Sequence, residues 1–320
     1  TWHVGSPSPR TSKFTSTYFT IPASKRRYST RRGATMNELM EFFIEPFQYP
    51  FMQRAIIAAV IIGIACAILS CYMVLKGWSL MGDAISHAVL PGVVLAYVTA
   101  IPLTIGAFLS GLFCSFATGY LKEHSRIKED TVMGIVFSGM FAVGLVIFAS
   151  VDTDQHLMHI LFGNILGITP DVLIQISAIC LITITIMLVK QKDFMLYCFD
   201  PNQARIVGLP VALLHYGLLS ILALTIVASM QAVGIILVVA MLISPGITAY
   251  LLTRSFSRMI TLAILFSVIS SVIGTFISFH IDGATGPSIV LTQAVFFIIA
   301  LLCNQIKLAK IKRQTKPANA

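Results

Sequence analysis

Two polar residues lie four positions apart inside an otherwise apolar stretch of the sequence. Asp83 and His87 belong to segment 79–92, which reads SLMGDAISHAVLPG. On a helix, side chains at positions i and i+4 share one face about 6 Å apart, so a carboxylate oxygen and an imidazole nitrogen can converge there. Inserting a carboxylate near the middle of a bilayer costs roughly 2.5–3.5 kcal/mol, so we expect the pair to have a functional role. We expect it to bind a divalent transition metal on a pathway through a membrane.

Two ligands from one chain leave such a metal incompletely coordinated, because these ions take four or more donors. A symmetric dimer with this face on its axis would supply two carboxylates and two imidazoles. The alternative is a structural Asp–His hydrogen bond that locks two helices. Pro91 and Gly92 follow the pair, and we expect them to kink the helix and to free nearby backbone carbonyls.

The composition indicates a membrane protein. The chain is 57% hydrophobic and 11% charged, with a mean hydropathy of +0.87. Nine apolar runs approach the ~20 residues that a helix needs to span a bilayer. They are residues 52–75, 78–98, 101–121, 131–150, 170–190, 210–230, 232–253, 259–279 and 286–306. The sequence therefore predicts an all-α polytopic membrane protein with eight to nine transmembrane helices, the lower count applying if one segment is re-entrant.

The net charge of +9 comes largely from the beginning of the chain. Residues 1–35 carry seven of the 22 basic residues and no acidic residue, and the other 15 nearly balance the 13 acidic residues. The charge thus gives no support to nucleic-acid binding. This Ser- and Thr-rich tail has the composition of an organellar transit peptide. Alternatively it is sequence upstream of a start at Met36, and in either case we expect it to lie outside the fold.

Basic residues also orient the spans, because they favour the cytoplasmic side. Segments 122–128, 190–208, 254–258 and 307–313 are assigned to the cytoplasm, and segments 151–169 and 280–285 to the outside. Residues 36–51 are predicted to form an amphipathic surface segment. The transmembrane domain then covers residues 52–306, and a basic cytoplasmic tail covers residues 307–320.

The loop before the sixth span contains helix boundary signals. Asp200 is a predicted N-cap, Pro201 suits the first helical position and Gly208 suits the end. We expect a short cytoplasmic helix, either an ordinary loop helix or one that docks into a partner. Farther on, residues Ser244, Pro245 and Gly246 predict a bend and close packing within a span.

The other candidates carry weaker signals. His156, His159, His280 and Asp282 are predicted at the outer face, where they either guide a cation to the pore mouth or are simply solvated. His124 and His215 are given only structural roles. The six cysteines form no Cys-x-x-Cys pair and are treated as small packing residues. The sequence has no P-loop motif, no His-Glu-x-x-His and no Gly-x-Ser-x-Gly, which leaves no complete catalytic set.

These motifs together resemble the permease subunits of bacterial ABC importers for manganese, iron and zinc, the chelated-metal or ABC-3 family. The resemblance runs from about Glu45 to the last span. Its most specific parts are segment 80–92, Phe199-Asp200-Pro201 with Ala204 and Gly208, and Ser244-Pro245-Gly246. Segments 76–80, 161–167 and 279–284 resemble the iron/manganese branch found in enteric bacteria.

The resemblance implies a bacterial inner-membrane protein that is a transport subunit and has no tightly bound cofactor. Its expected partners are cytoplasmic ABC ATPase subunits, a metal-binding protein outside the membrane, and a second permease copy or a related permease. It implies that Asp83 and His87 line the metal pathway. It also implies that Asp200, Pro201, Ala204 and Gly208 belong to the loop that contacts the ATPase.

The transported metal is left open between manganese, iron and zinc. Oxygen and imidazole donors without a thiolate favour Mn²⁺ or Fe²⁺ over Zn²⁺. The main rival class is a secondary transporter, which would use the same Asp and His as a proton relay.

Overall fold

The computed structural model describes residues 44–78, 80–150 and 165–314, and every longer regular element within these ranges is an α-helix. In chain order the helices are α1 (Pro50–Lys76), α2 (Met81–Ala88), α3 (Leu90–Val98), α4 (Leu103–His124), α5 (Glu129–Ala149), α6 (Pro170–Val189), α7 (Gln191–Phe199), α8 (Pro201–Ile206), α9 (Val211–Val233), α10 (Ile235–Leu252), α11 (Phe256–Ile281) and α12 (Thr285–Gln314). A short 3₁₀ helix, Ile165–Gly167, precedes α6.

Within the described residues, nine helical stretches are long and apolar enough to cross a membrane. Eight lie in single helices, and the remaining one, Met81–Val98, consists of α2 and α3 together. Each of the nine runs predicted from the sequence corresponds to one of these stretches. The all-helical, polytopic prediction is confirmed, and length and composition favour nine spans over eight.

Helix α1 is buried on most of its surface by α6, α10 and α11. Its many small residues allow close approach of neighbouring backbones, as in other membrane helix pairs. Ser267 of α11 donates a hydrogen bond of 2.9 Å to the carbonyl of Gly63. A Cβ atom at Gly63 would lie 2.7 Å from the Ser267 Oγ. Glycine at this position therefore lets α11 pack directly onto the α1 backbone.

The segment Ser244-Pro245-Gly246 lies inside α10, where it packs against α1. The Gly246 N–H donates a hydrogen bond of 3.0 Å to the Ser70 Oγ of α1. A Cβ atom at Gly246 would lie 2.8 Å from the Ser70 carbonyl oxygen. This contact is the close helix packing that the sequence predicts for the segment.

The second span is interrupted at Val89, where α2 ends and α3 begins. Proline has no N–H, so Pro91 cannot donate the helical hydrogen bond to the carbonyl of His87. The neighbouring carbonyl of Ala88 instead accepts a 2.6 Å hydrogen bond from the Ser110 hydroxyl of α4. A side chain from another helix thus satisfies a backbone group at the break, which a membrane interior requires.

Two glycines bring the backbones of α3 and α4 into contact directly after this break. A Cβ atom at Gly92 would collide with the carbonyl oxygen of Gly106, and one at Gly106 with the carbonyl oxygen of Gly92. Pro91 is covered from the other side by α5, since a Cβ atom at Gly144 would lie 2.9 Å from its ring. The interruption is therefore fixed between two neighbouring helices.

Three of the four segments assigned to the cytoplasm meet at one end of the helices. A cavity of about 710 Å³ at that end is lined by Leu75 of α1, Phe199 of α7, Arg254 before α11 and Lys307 of α12. Basic residues of two separate segments, Arg254 and Lys307, thus converge beside Phe199 of a third, as the positive-inside rule expects of loops on one side of a membrane.

The helix bounds differ from the sequence-based prediction at both ends of the membrane domain. Helix α12 continues to Gln314, so residues 307–314 of the predicted tail extend the last helix. Residues 288–314 contain no Gly or Pro, and their Lys, Leu, Ala and Gln residues favour helix. At the other end, residues 44–48 are helical and α1 begins at Pro50. Residues 36–43 of the predicted surface segment, and the basic tail 1–35, lie outside the described residues.

The Gly92–Gly106 contact predicts a loss of stability when a methyl group is added there. The substitution Gly106→Ala places Cβ against the Gly92 carbonyl and, at 2.5 Å, against the Ala96 side chain. We expect a destabilisation of about 1–3 kcal/mol, typical of overpacking in a well-packed core. The measurement is the thermal unfolding midpoint of the purified protein in detergent.

The matched control is Gly217→Ala in α9, where the added Cβ would have no neighbour within 4 Å. Its midpoint should stay the same or rise slightly, because alanine favours helix over glycine. Equal midpoints for the two variants would contradict the close crossing of α3 and α4.

Candidate metal centre

Helix α2 is buried almost entirely, and its two partly exposed side chains are Asp83 and His87. Every other residue between positions 81 and 90 is buried. The Asp83 side chain retains 42% of its exposure and the His87 side chain 36%, and Oδ1 of Asp83 lies 3.4 Å from Nε2 of His87. The i,i+4 spacing thus places both donors side by side, with access to a cation from outside the protomer.

Small residues on the face of α2 next to Asp83 and His87 let the helix pack closely against its neighbours. A Cβ atom at Gly82 would lie 3.2 Å from the Leu242 side chain of α10 and 3.8 Å from Met73 of α1. The Ser86 hydroxyl donates a 2.7 Å hydrogen bond to the Gly82 carbonyl within the helix. The backbone that carries Asp83 and His87 is therefore packed against α1 and α10.

Two phenyl rings of α5 orient the His87 imidazole. Phe141 contacts it edge to face, with ring centroids 5.3 Å apart, and Phe137 is stacked near it at 6.4 Å. Such aromatic pairs favour defined geometries. The sequence analysis missed both residues: their i,i+4 spacing was visible in the span, but phenylalanines at that spacing are ordinary in an apolar helix.

The position of the pair along its span differs from the prediction. The sequence suggested a site near the middle of a span covering residues 78–98, whereas the structured span is Met81–Val98. Asp83 lies in its first turn and His87 one turn later. The pair therefore lies in the half of the span nearer to Trp78, because the residues before Met81 form the connection from α1.

One protomer brings two donors together at this site. Within the described residues, no group of three or more His, Cys, Asp or Glu side chains is arranged to hold a metal. Pro91, Gly92 and residues 244–246 take part in packing between helices, and their contacts give no indication that they bind a metal. A transition metal at Asp83 and His87 thus needs further ligands from water or from another chain.

The predicted outer-face candidates are only partly within the described residues. His156 and His159 lie outside them. His280 lies in the last turn of α11, where its Nδ1 is 3.0 Å from the Phe276 carbonyl oxygen, and Asp282 is the C-cap with φ of 53°. The role of these four residues in guiding a cation stays a prediction.

The short helix α8 begins as its sequence predicts. The Asp200 carboxylate accepts hydrogen bonds from the N–H groups of Asn202 and Gln203, at 2.9 and 3.1 Å. Pro201 occupies the first helical position, and Gly208 adopts a left-handed conformation with φ of 85° after the helix. The local N-cap prediction is therefore confirmed.

The side chains of α8 and its flanks divide into a buried anchor and exposed apolar residues. Ala204 is completely buried, whereas Phe199 is 75% exposed, Ile206 80% and Val207 61%. Three exposed apolar side chains around a capped helix at the end assigned to the cytoplasm form a small surface suited to a protein partner.

The cysteines behave as packing residues. All six are free thiols, and five of them are buried. At Cys198, outside the spans, burial raises the pKa of the thiol to about 12, against a smaller opposing effect of Lys76. Because the thiolate is the metal-binding form, a thiol with this pKa is a packing residue near neutral pH.

The capping geometry predicts a local effect of Asp200→Ala. Losing an N-cap carboxylate costs about 0.5–2 kcal/mol of helix stability, so α8 should open more often while the spans stay intact. Hydrogen exchange of the amides of residues 201–206 should become faster, and exchange in α1 should not change. Asp200→Asn, which can still cap, is the control. Exchange in α8 that is equally slow in Asp200→Ala would show that the cap is not what holds the helix.

Comparisons with known proteins extend over nearly the whole described chain. Residues 48–304 match the family model described as the ABC 3 transport family. The chain is 66% identical over 287 residues to the chelated iron transport system membrane protein YfeD of Yersinia pestis, covering 89% of this chain and 97% of that protein. It is 50% identical over 273 residues to the manganese transport system membrane protein MntB of Synechocystis sp., covering 83% of this chain and 89% of that protein.

A solved structure has the same fold. A chain in the structure of PsaBC from Streptococcus pneumoniae in complex with Fab aligns with a TM-score of 0.73 and 40% identity, over 82% of this chain and 95% of that chain. With a family match that covers well over half of the sequence, and with relatives of this identity and coverage, the chain belongs to the ABC 3 transport family and is a multi-pass permease subunit of a bacterial ABC transporter, a transport subunit and not itself an enzyme.

Proposed function

We propose that this chain is the permease of an ATP-driven importer of Mn²⁺ or Fe²⁺, and that Asp83 and His87 bind the metal in transit. The observation that carries the proposal is the pair of polar side chains, 3.4 Å apart, left accessible on a helix whose other residues are buried. A merely structural Asp–His pair would be expected to bury both groups between helices, because its purpose would be to join them.

The choice of metal rests on the donors and on the relatives. A carboxylate and an imidazole without a thiolate suit Mn²⁺ and Fe²⁺. One relative bears the name of a chelated iron transport protein and another that of a manganese transport protein. Zinc is the alternative cargo, because carboxylate and imidazole also bind Zn²⁺.

The site is completed by a second permease, either a further copy of this chain or a related one. Two facing sites of this kind provide two carboxylates and two imidazoles, a set of four donors. The two negative charges balance the charge of a divalent cation, which lowers the cost of holding the ion where the dielectric constant is low. The partial exposure of Asp83 and His87 leaves room for such a partner.

Partners on the two sides of the membrane supply energy and metal. The α8 surface, with its exposed Phe199, Ile206 and Val207, docks the cytoplasmic ATPase subunit. A metal-binding protein delivers the ion at the outer segments 151–169 and 280–285. ATP binding brings the ATPase subunits together, α8 moves with them, and access to the metal alternates between the two sides. The metal must be held weakly enough to leave again.

Asp83→Asn tests the metal site. The amide keeps the size of the side chain but loses the negative charge, so metal uptake should fall at least about tenfold, the lower range for disturbing a metal site. The experiment measures uptake of radiolabelled Mn²⁺, Fe²⁺ and Zn²⁺ by vesicles containing the permease with its ATPase and binding protein.

Asp193→Asn is the matched control, because Asp193 is a carboxylate of α7 that pairs with Lys190 at 3.2 Å, away from the site. Normal uptake by Asp83→Asn would refute the role of Asp83. Uptake that continues without the ATPase would point to a gradient-driven transporter, and selective uptake of Zn²⁺ would overturn the choice of metal.

Ile206→Asp tests the docking surface. A charge at an exposed apolar contact should raise the dissociation constant for the ATPase at least about tenfold, as for an interface hot spot. Because Ile206 is 80% exposed, folding should be unaffected. The measurement is binding of the purified ATPase to the permease in nanodiscs.

The control is Lys192→Asp, which also adds a negative charge at an exposed position, but on α7. It should bind the ATPase with an affinity within a few-fold of that of the unaltered protein. Equal affinity of Ile206→Asp and the unaltered protein would remove α8 from the interface.

A further inference from the structure

Four residues from three separate segments meet between α8 and α2. They are Lys76, the last residue of α1, Trp78 in the connection to α2, Tyr197 of α7 and His215 of α9, and we call them the link cluster. The Tyr197 hydroxyl and Nδ1 of His215 are joined by a hydrogen bond of 2.7 Å. The Lys76 ammonium lies 3.8 Å from the centre of the Tyr197 ring. Trp78 contacts His215 edge to face, with ring centroids 5.6 Å apart.

On one side, the link cluster is continuous with the docking helix. Tyr197 lies in the last turn of α7 and is 3% exposed. The N–H of Asp200, the N-cap of α8, donates a 2.9 Å hydrogen bond to the carbonyl of Leu196 in the same turn. A displacement of α8 therefore displaces the turn that carries Tyr197.

On the other side, the link cluster is continuous with the helix that carries the metal ligands. Trp78 is 2% exposed and lies five positions before Asp83. Its backbone N–H donates a 2.9 Å hydrogen bond to the carbonyl of Met73, and its backbone carbonyl accepts one of 3.3 Å from the N–H of Met81, the first residue of α2. Trp78 is thus held next to the first residue of α2, and this first residue, Met81, lies two positions before Asp83.

We propose that the link cluster transmits the motion of the ATPase-docking helix α8 to the metal-binding helix α2, with Tyr197 and His215 as positioning residues of the transport cycle. This inference rests on the proposed function, since it needs α8 to move with the ATPase and α2 to hold the metal. It assigns to His215 a role that its sequence context did not indicate.

The physical basis is the directionality of the contacts. A buried hydrogen bond of 2.7 Å and a cation placed over an aromatic ring both weaken when their geometry changes, so the groups tend to move together. Packed helices shift between discrete arrangements and do not deform continuously. An aromatic packing contact alone would hold the segments together but would not depend on the Tyr197 hydroxyl.

Tyr197→Phe is the decisive variant, because it removes the hydroxyl and keeps the ring under Lys76. Metal taken up per ATP hydrolysed should fall at least about threefold, the effect expected from losing one hydrogen bond. ATPase binding and metal binding in the absence of ATP should stay unchanged. Lys76→Met should also lower the ratio, and Lys76→Arg should restore it, since arginine also binds aromatic rings.

The matched control is Tyr216→Phe, a neighbouring tyrosine of α9 whose ring stacks on Phe116 at 4.9 Å. It should transport normally. If Tyr197 and His215 act through their shared bond, the double variant Tyr197→Phe/His215→Phe should be little worse than either single variant. Fully additive losses, or an unchanged ratio in Tyr197→Phe, would overturn the proposal.

Trp78 offers a direct readout of the motion. The chain contains two tryptophans, Trp2 and Trp78. With Trp2→Phe and 5-fluorotryptophan in the permease alone, the fluorine NMR signal reports the surroundings of Trp78 in the complete complex. The signal should shift when nucleotide is trapped on the ATPase, and the shift should be lost in Tyr197→Phe. An unshifted signal in the otherwise unaltered protein would refute transmission through Trp78.

The outcomes separate this inference from the proposed function. If the unaltered complex shows no ATP-driven metal uptake, the proposed function fails. If the unaltered complex transports metal, Asp83→Asn does not, and Tyr197→Phe keeps a normal ratio of metal to ATP, the proposed function stands and only the inference about the link cluster is refuted. If Tyr197→Phe loses ATPase binding, the cluster supports docking and does not transmit motion, which also overturns the inference.

Discussion

The arrangement around α2 follows from the cost of placing a carboxylate in an apolar helix bundle. An isolated charge of this kind is unstable unless water, a partner group or a cation compensates it. Asp83 meets this requirement with His87 beside it and with 42% of its side chain exposed. Because the rest of the helix is buried against its neighbours, the backbone is fixed while the two donors remain accessible. This combination suits a site that has to bind an ion and release it again.

The interrupted second span illustrates how a membrane protein accommodates a helix break. Pro91 removes a backbone hydrogen bond, and an unsatisfied carbonyl in this environment would cost several kcal/mol. The Ser110 hydroxyl bonds to Ala88 at the break, and the two glycines directly after it let α4 lie against the α3 backbone. The break is therefore supported from a neighbouring helix.

The proposed metal ligands and the proposed docking helix α8 are connected over a short distance. The pair lies in the half of its span nearer to Trp78. Trp78 contacts His215, and His215 in turn is hydrogen-bonded to Tyr197. The α7 turn that contains Tyr197 continues into the cap of α8. A permease of this family has to couple ATP hydrolysis in the cytoplasm to transport through the membrane. In this chain, the few side chains of the link cluster separate α8 from the helix that carries Asp83 and His87.

The sequence by itself determined the features that depend on local chemistry. Apolar runs of sufficient length predicted eight to nine spans, of which the structure has nine candidates in the described residues, and Asp200-Pro201 with Gly208 predicted α8, because capping involves hydrogen bonds within three residues. The i,i+4 spacing placed Asp83 and His87 on one face. Only the tertiary structure decided that Phe137 and Phe141 surround His87, that Ser110 bonds to the broken span, and that His215 meets Tyr197 beside Lys76. These contacts join residues from different helices, and in spans that are apolar on every side no periodicity reveals which face meets which neighbour.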